Sequence, residues 1–184
     1  MPNSRACTAT FCDMSVSSGR KTLMLDLNKM RTTVAQGLKE YLGVPVIRGN
    51  QTAKAPVYPY VTYNLTTPES ANNGTYQQHE DGVDRLMVRS IWSLSFLSKD
   101  FDESILFATK AREWLLHTGR VWLSDNGITV QSATDITNRD NILTVEYERK
   151  NGFDVVFYVY DESENPLKTT GIIESVDIAH KLDT

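Results

Sequence analysis

Long apolar runs, cysteine, histidine and catalytic motifs are all scarce in this sequence, and each scarcity removes a class of function. No run reaches the roughly 18 consecutive apolar residues that a membrane helix requires, so a membrane partner is not expected. The opening MPNSRACTATFCDMSVSSGRK has no continuous apolar stretch, which argues against a secretory signal and makes the sequons at Asn64 and Asn73 irrelevant. Of the two cysteines, Cys7 and Cys12, neither has a histidine or a second pair nearby. A structural zinc needs four ligands, so the pair reads as reduced thiols in a cytosolic arm. G-x-G-x-x-G, the phosphate-binding G-x-x-x-x-G-K-[ST], G-x-S-x-G and H-E-x-x-H are all missing.

The three histidines are scattered. His117 reads as structural, near the negative end of a helix dipole, and His180 has no evident partner. His79, Glu80, Asp81 and Asp84, with Glu69 nearby, form the one constellation able to converge on a divalent cation. Their spacing lacks the alternating oxygen ligands of a calcium loop, so neither a metal nor any other cofactor is expected. Nothing amounts to a catalytic proposal.

What is present is ordinary in bulk and uneven in distribution. Apolar residues make up 40% and charged residues 23% of the chain, and 184 residues suffice for one domain with a sizeable core. The net charge of −4 argues against general nucleic-acid affinity. Between Arg20 and Lys54 seven basic residues, Arg48 and Lys54 among them, face two acids. From Asp154 to Asp183 seven acids face two lysines. Such polarity suits a head-to-tail ring, although two solvated faces without meaning would look the same. Tyr58, Tyr60, Tyr63 and Tyr76, near Arg48 and Lys54, read as strand packing rather than base stacking.

Residues 1–22 form a polar arm and residues 23–184 a single domain. Leu27, Met30, Val34, Leu38 and Leu42 recur at helical spacing, with Asp26 to cap the start and Gly43 and Pro45 to end it. Strands are expected at 57–66 and 85–98, paired as a hairpin with a polar loop at 67–84. The second strand puts Leu86, Val88, Trp92, Leu94 and Phe96 on one face, interrupted by Ser90. A helix then starts at Asp100, which forms a D-x-x-E capping pattern with Glu103. Ile105, Ala108, Trp114 and Leu115 supply its apolar face, and Gly119 stands at the expected C′ position. Two short strands follow around Asp125-Asn126-Gly127, and a last strand is expected at 171–180.

The segment from Arg139 to Tyr160 reads as a long β-hairpin turning at Asn151-Gly152, a pair suited to a type I′ turn. Its second arm, Val155-Val156-Phe157-Tyr158-Val159-Tyr160, is apolar or aromatic on both faces. An antiparallel sheet normally shows one face to water, so either Val156, Tyr158 and Tyr160 or the opposite set needs cover from another layer or another subunit. The expected fold is α+β, an antiparallel sheet packed against two main helices.

Several pieces occur together in a familiar order: the amphipathic opening helix, P-x-x-x-Y before the first strand, a W-S-L-S-F strand entering a capped helix, and Y-E-R-K-N-G-F-D. In this order the chain resembles, over roughly residues 25–178, the neck or tail terminator proteins of contractile-tailed and related phages. The resemblance implies a virion subunit of an α+β fold that forms a ring, expected to be a hexamer, on the end of the tail tube. Its partners would be further copies of itself, the tail tube protein, a head-completion or connector protein, and the sheath. DNA would pass through the lumen without specific binding, which an acidic subunit favours. Candidate contacts between subunits or with partners are Val156, Tyr158, Tyr160, Arg48, Lys54, Glu69, Tyr76 and Asp81. Other readings stay open: a different neck or baseplate component such as a head-completion stopper or tube initiator, a small metal-dependent enzyme using His79, Asp81 and Asp84, or a host-directed binding protein.

Overall fold

A computed structural model describes residues 25–50, 52, 54–71, 74–79, 82–140 and 148–164. The expected strand at 171–180, the arm 1–22, His180, Asp81 and most of the first arm of the expected hairpin lie outside these residues.

The first helix, α1, spans Leu27–Leu42. The Asp26 carboxylate accepts from the Lys29 N–H at 2.9 Å, satisfying one of the orphan donors of the first turn. At the other end Gly43 takes φ +71°, the left-handed conformation glycine adopts without steric cost, and its N–H donates to Lys39 O at 2.9 Å. Met30, Val34 and Leu38 form its buried stripe.

The short strand β1 (Val46–Arg48) runs parallel to β2 (Tyr60–Ser70), which pairs antiparallel with β3 (Val83–Ser98). The hairpin expected at 57–98 therefore forms, but its strands run further into the polar segment than expected. β2 reaches Ser70 and β3 starts at Val83, with Gln77 bridged to Arg85, so the loop is shorter than 67–84. The extra strand length is irregular, with register shifts between Leu65 and Thr67 and between Thr67 and Ser70. Such bulges bend an edge away from regular pairing.

Helix α2 (Phe101–Glu113) starts at Asp100 as expected, with a variation in its cap. Glu103 binds the Ser98 hydroxyl, and that hydroxyl accepts the Asp100 N–H at 3.1 Å, so serine relays a contact the glutamate was expected to make directly. The helix does not end at Gly119. It passes through a π-helical turn (Trp114–Thr118) into α3 (Arg120–Asp125). Gly119 has φ −88°, so its value is space rather than a left-handed cap. A Cβ there would sit 2.3 Å from the Trp114 ring. The first of the two strands expected around Asp125-Asn126-Gly127 is thus helical, because Leu123 is fully buried in the core. The second is β4 (Thr129–Ala133), entered through Gly127 at φ +76°.

The largest correction concerns Asn151-Gly152. These residues are not a turn: they lie inside β6 (Arg149–Glu164), opposite Phe96 and Ser95 of β3. The chain reverses earlier, between β5 (Thr137–Asn138), which pairs antiparallel with Asn151 and Gly152, and Glu148. Tertiary contacts override the local turn preference. The Asn151 backbone N–H and side-chain Nδ2 both donate to Ser104 Oγ, at 3.2 and 3.1 Å, while Ser104 Oγ donates to Phe96 O at 2.9 Å. A Cβ on Gly152 would lie 2.2 Å from Leu94 O, so only glycine permits this backbone approach.

Among the described residues the sheet is six-stranded, in the order β1-β2-β3-β6-β4 with β5 also on β6. The helices lie on one face, which makes the fold α+β as expected, with β1 its one parallel member. Their layer and the even residues of β3 enclose the core with Phe153, Val155, Phe157 and Val159 of β6. Trp92 stacks on Tyr63 at 5.4 Å and meets Phe157 edge-on at 5.3 Å. Ser90, the break in the apolar pattern, is fully buried and accepts the Trp92 Nε1–H at 2.9 Å. A buried indole N–H without that acceptor would cost about 1–3 kcal/mol.

Candidate assembly surface

The register of β3 against β6 fixes what the other face of the sheet carries. Its opposed pairs include Arg85–Glu162, Met87–Tyr160, Arg89–Tyr158, Ile91–Val156 and Ser93–Asp154. Polar pairs close both ends. Arg85 Nε meets Glu162 Oε1 at 3.0 Å. At the other end Arg139, reaching over from beyond β5, donates to Ser93 Oγ at 2.6 Å and to Asp154 Oδ1 at 2.9 Å. Burial raises the Asp154 carboxyl, but the hydrogen bonds from Ser93 and Arg139 and the Arg139 charge outweigh it and hold the group below its ordinary value.

Between these ends the surface is largely apolar and, among the described residues, partly exposed. Tyr160 is 56% and Met87 49% exposed, and the two sit directly opposite each other. Val156, Tyr158 and Ile91 are half-buried. Arg89 stands in the middle, its Nε buried and without a hydrogen-bond partner among the described residues. Tyrosine, methionine and arginine over an aliphatic floor is the composition enriched in protein interfaces. Of the two alternatives left open by the sequence, Val155, Phe157 and Val159 are core, and Val156, Tyr158 and Tyr160 are the open set.

The remaining candidates lie around this face rather than on it. Arg48 is exposed at the end of β1, the opposite sheet edge, and Lys54 is exposed in the connection to β2. Glu69 is exposed near the end of β2. Tyr76 donates to Asp161 Oδ2, whose Oδ1 accepts the Leu25 N–H at 2.7 Å, so Asp161 ties both the polar loop and the start of α1 to β6. That hydrogen bond, burial and the Asp161 and Glu69 charges push the Tyr76 phenol up to about 12. At the far end of the sheet Tyr58 and Tyr60 both donate to Glu148 Oε1, at 2.7 and 3.3 Å, and burial raises both phenols, reinforced by that carboxylate. Tyr58 and Tyr60 also meet each other, with ring centroids 5.3 Å apart.

Of the constellation around His79 and Asp84, Glu80 and Asp81 lie outside the described residues; among the described residues no three His, Cys, Asp or Glu side chains could hold a metal ion. His117, expected at a helix end, sits exposed in the π-helical turn because the helix continues past it. The sequence reading missed Met87, Arg89 and Ile91. Their signal was present, since they alternate with the core positions of β3 and so had to share the face opposite Trp92.

Comparison with known proteins decides the family. The model of the phage neck terminator protein family matches residues 32–183. The chain belongs to this family. It is accordingly a structural protein of the phage neck and a component of the virion. This neck terminator family member has no match among curated proteins. Among solved structures it is similar to a chain of the virion of a native gene transfer agent (GTA) particle, with 12% identity and a TM-score of 0.32. That alignment covers 81% of this chain and 99% of the other.

Proposed function

We propose that this neck protein forms a closed ring, of six copies, on the end of the tail tube. The ring ends tube polymerisation and joins the tube to the head-completion or connector proteins. The chain acts by assembly and not by catalysis. The observation that carries the reading is the sheet face centred on Met87, Arg89, Tyr158 and Tyr160, left partly exposed by the described residues and flanked by polar pairs. A subunit that buries its core on one side and, among the described residues, leaves tyrosine, methionine and an arginine whose Nε has no acceptor on the other is built to be covered by something else. In this reading the neighbouring subunit covers it.

The other assignments follow from position. Glu69 near the end of β2 and the polar loop that follows, with Tyr76 and Asp81, face the tube, the lumen or the next ring. Lys54 and the arm 1–22 reach adjacent proteins, the sheath among them. DNA passes through the lumen without specific binding, in keeping with the net charge of −4. The test is polymerisation of purified tube protein with and without this chain. Tubes that stop growing and bear a cap of ring mass support the reading; an unchanged length distribution with a monomeric chain refutes it.

A further inference from the structure

The edge of the sheet made by β1 carries a cleft that the ring reading leaves unused. It is open, about 800 Å³ in volume, and lies between the first turns of α1, the end of β1 and the middle of β2. Two guanidinium side chains, Arg31 and Arg48, and three carboxamides, Asn28, Asn50 and Asn64, line it, and no carboxylate does among the described residues. Arg31 donates to Asn28 Oδ1, yet its Nε is buried without an acceptor among the described residues. Arg48 is exposed and has no ion pair among them.

The rim of this cleft is fixed rather than pliable. The Gly49 N–H donates to Tyr63 O at 2.8 Å, and a Cβ at Gly49 would lie 2.3 Å from the Asn64 amide oxygen. Asn50 holds φ +57°, a left-handed conformation that asparagine tolerates better than most residues. The backbone is thus bent at Arg48-Gly49-Asn50 so that the arginine and both neighbouring amides stand around one space. Guanidinium and amide N–H groups converging without an acid are complementary to a carboxylate.

The far edge of the same sheet supplies the complement. Past Tyr158, β6 has no partner on the β4 side among the described residues. Its end carries Glu162, which is 40% exposed beside Arg85, and Glu164, which is exposed and has no ion pair among the described residues. A head-to-tail ring brings opposite edges of neighbouring subunits together. Pro68 and the two register shifts of β2 disfavour regular strand pairing at the cleft, so contact there falls to side chains.

We propose that the Arg31–Arg48 cleft receives the Glu162 and Glu164 carboxylates at the end of β6 from a second copy of the chain. The proposal rests on the ring reading and names one of its contacts. Two experiments test it. In the first, isotopically labelled Glu164→Arg protein, whose own cleft is intact, is titrated with a peptide of residues 158–167. The side-chain amide signals of Asn28, Asn50 and Asn64 and the Arg31 Nε–H signal are expected to shift saturably. The same peptide with glutamine at positions 162 and 164 is expected to leave them in place.

In the second, Arg48→Glu and Glu164→Arg are each expected to weaken association roughly tenfold or more, and the double swap to restore it. Equal shifts with both peptides, a response to inorganic phosphate but not to the acidic peptide, or rings unchanged in both single variants would overturn the proposal. Peptide binding by a wild-type chain that never forms rings would refute the ring and leave this contact standing.

Discussion

Replacing Tyr160 by aspartate separates the two roles an exposed tyrosine can have. In the isolated subunit Tyr160 is 56% exposed, and no side-chain hydrogen bond of its hydroxyl is formed with described residues. Its removal should change subunit stability by no more than about 0.5 kcal/mol, the range for surface positions without special contacts. A tyrosine contributes roughly 150–250 Å² of buried area when fully covered. About half of that, on the order of 100 Å², is still available here, worth about 2.5 kcal/mol at 25 cal/mol/Å². The charge added by aspartate must also be desolvated on an apolar patch, which takes the expected loss to about 3–4 kcal/mol per contact. That corresponds to association weakened by roughly 150- to 1,000-fold. Oligomer mass measured over a concentration series reads the association, and a denaturant melt at a concentration where the chain is dissociated reads the fold. The expected result is an unchanged melt with the oligomer lost. An oligomer that survives with unchanged affinity would refute the assignment of this face, and a collapsed melt would show that Tyr160 is a folding residue instead.

Other predictions address the fold on which that face depends. Gly152→Ala should destabilise the subunit by about 1–3 kcal/mol or more in a denaturant melt, since its Cβ would lie 2.2 Å from Leu94 O; a neutral outcome would restore the turn reading. Ser90→Ala strands the Trp92 indole N–H and should cost about 1–3 kcal/mol by the same assay. The folded Asp154 carboxyl titrates below its unfolded value, so its contribution is complete above about pH 5 and fades as pH falls through the folded value. Because its side chain is 41% exposed, the contribution is under about 1 kcal/mol, and Arg139→Ala should flatten the acid limb of a stability–pH curve accordingly. Tyr76→Phe should remove a phenol that ionises near pH 12, visible as the loss of one late step in an ultraviolet titration.

Elements whose signals are local were legible in the sequence. α1 could be bounded at both ends because Asp26, the apolar stripe and Gly43 act within a few residues of one another. The inward face of β3 was legible from its alternation, and so was the surplus of apolar surface on β6. Errors arose where a distant contact sets the local conformation. Asn151-Gly152 has a turn composition, but its amide groups are held by Ser104 and its missing side chain makes room for Leu94 O. Val121 and Trp122 favour a strand locally, yet Leu123 docks in the core and Trp122 lies 6.0 Å from the Trp114 ring, which keeps the segment helical. Which face of β6 stays open depends on its register with β3, and that pairing spans tens of residues. For the cleft the sequence showed only the basic excess that includes Arg31 and Arg48 and the acidic excess near the other end, since Asn28, Arg31, Arg48 and Asn64 converge only once β1 lies beside β2.

Capping of the tail tube by this neck protein can be seen in electron images of purified protein mixed with tail tubes. Rings on tube ends are expected with wild-type protein and bare ends with Tyr160→Asp. Wild-type monomers dispersed among uncapped tubes, or tubes capped equally well by both proteins, would contradict it.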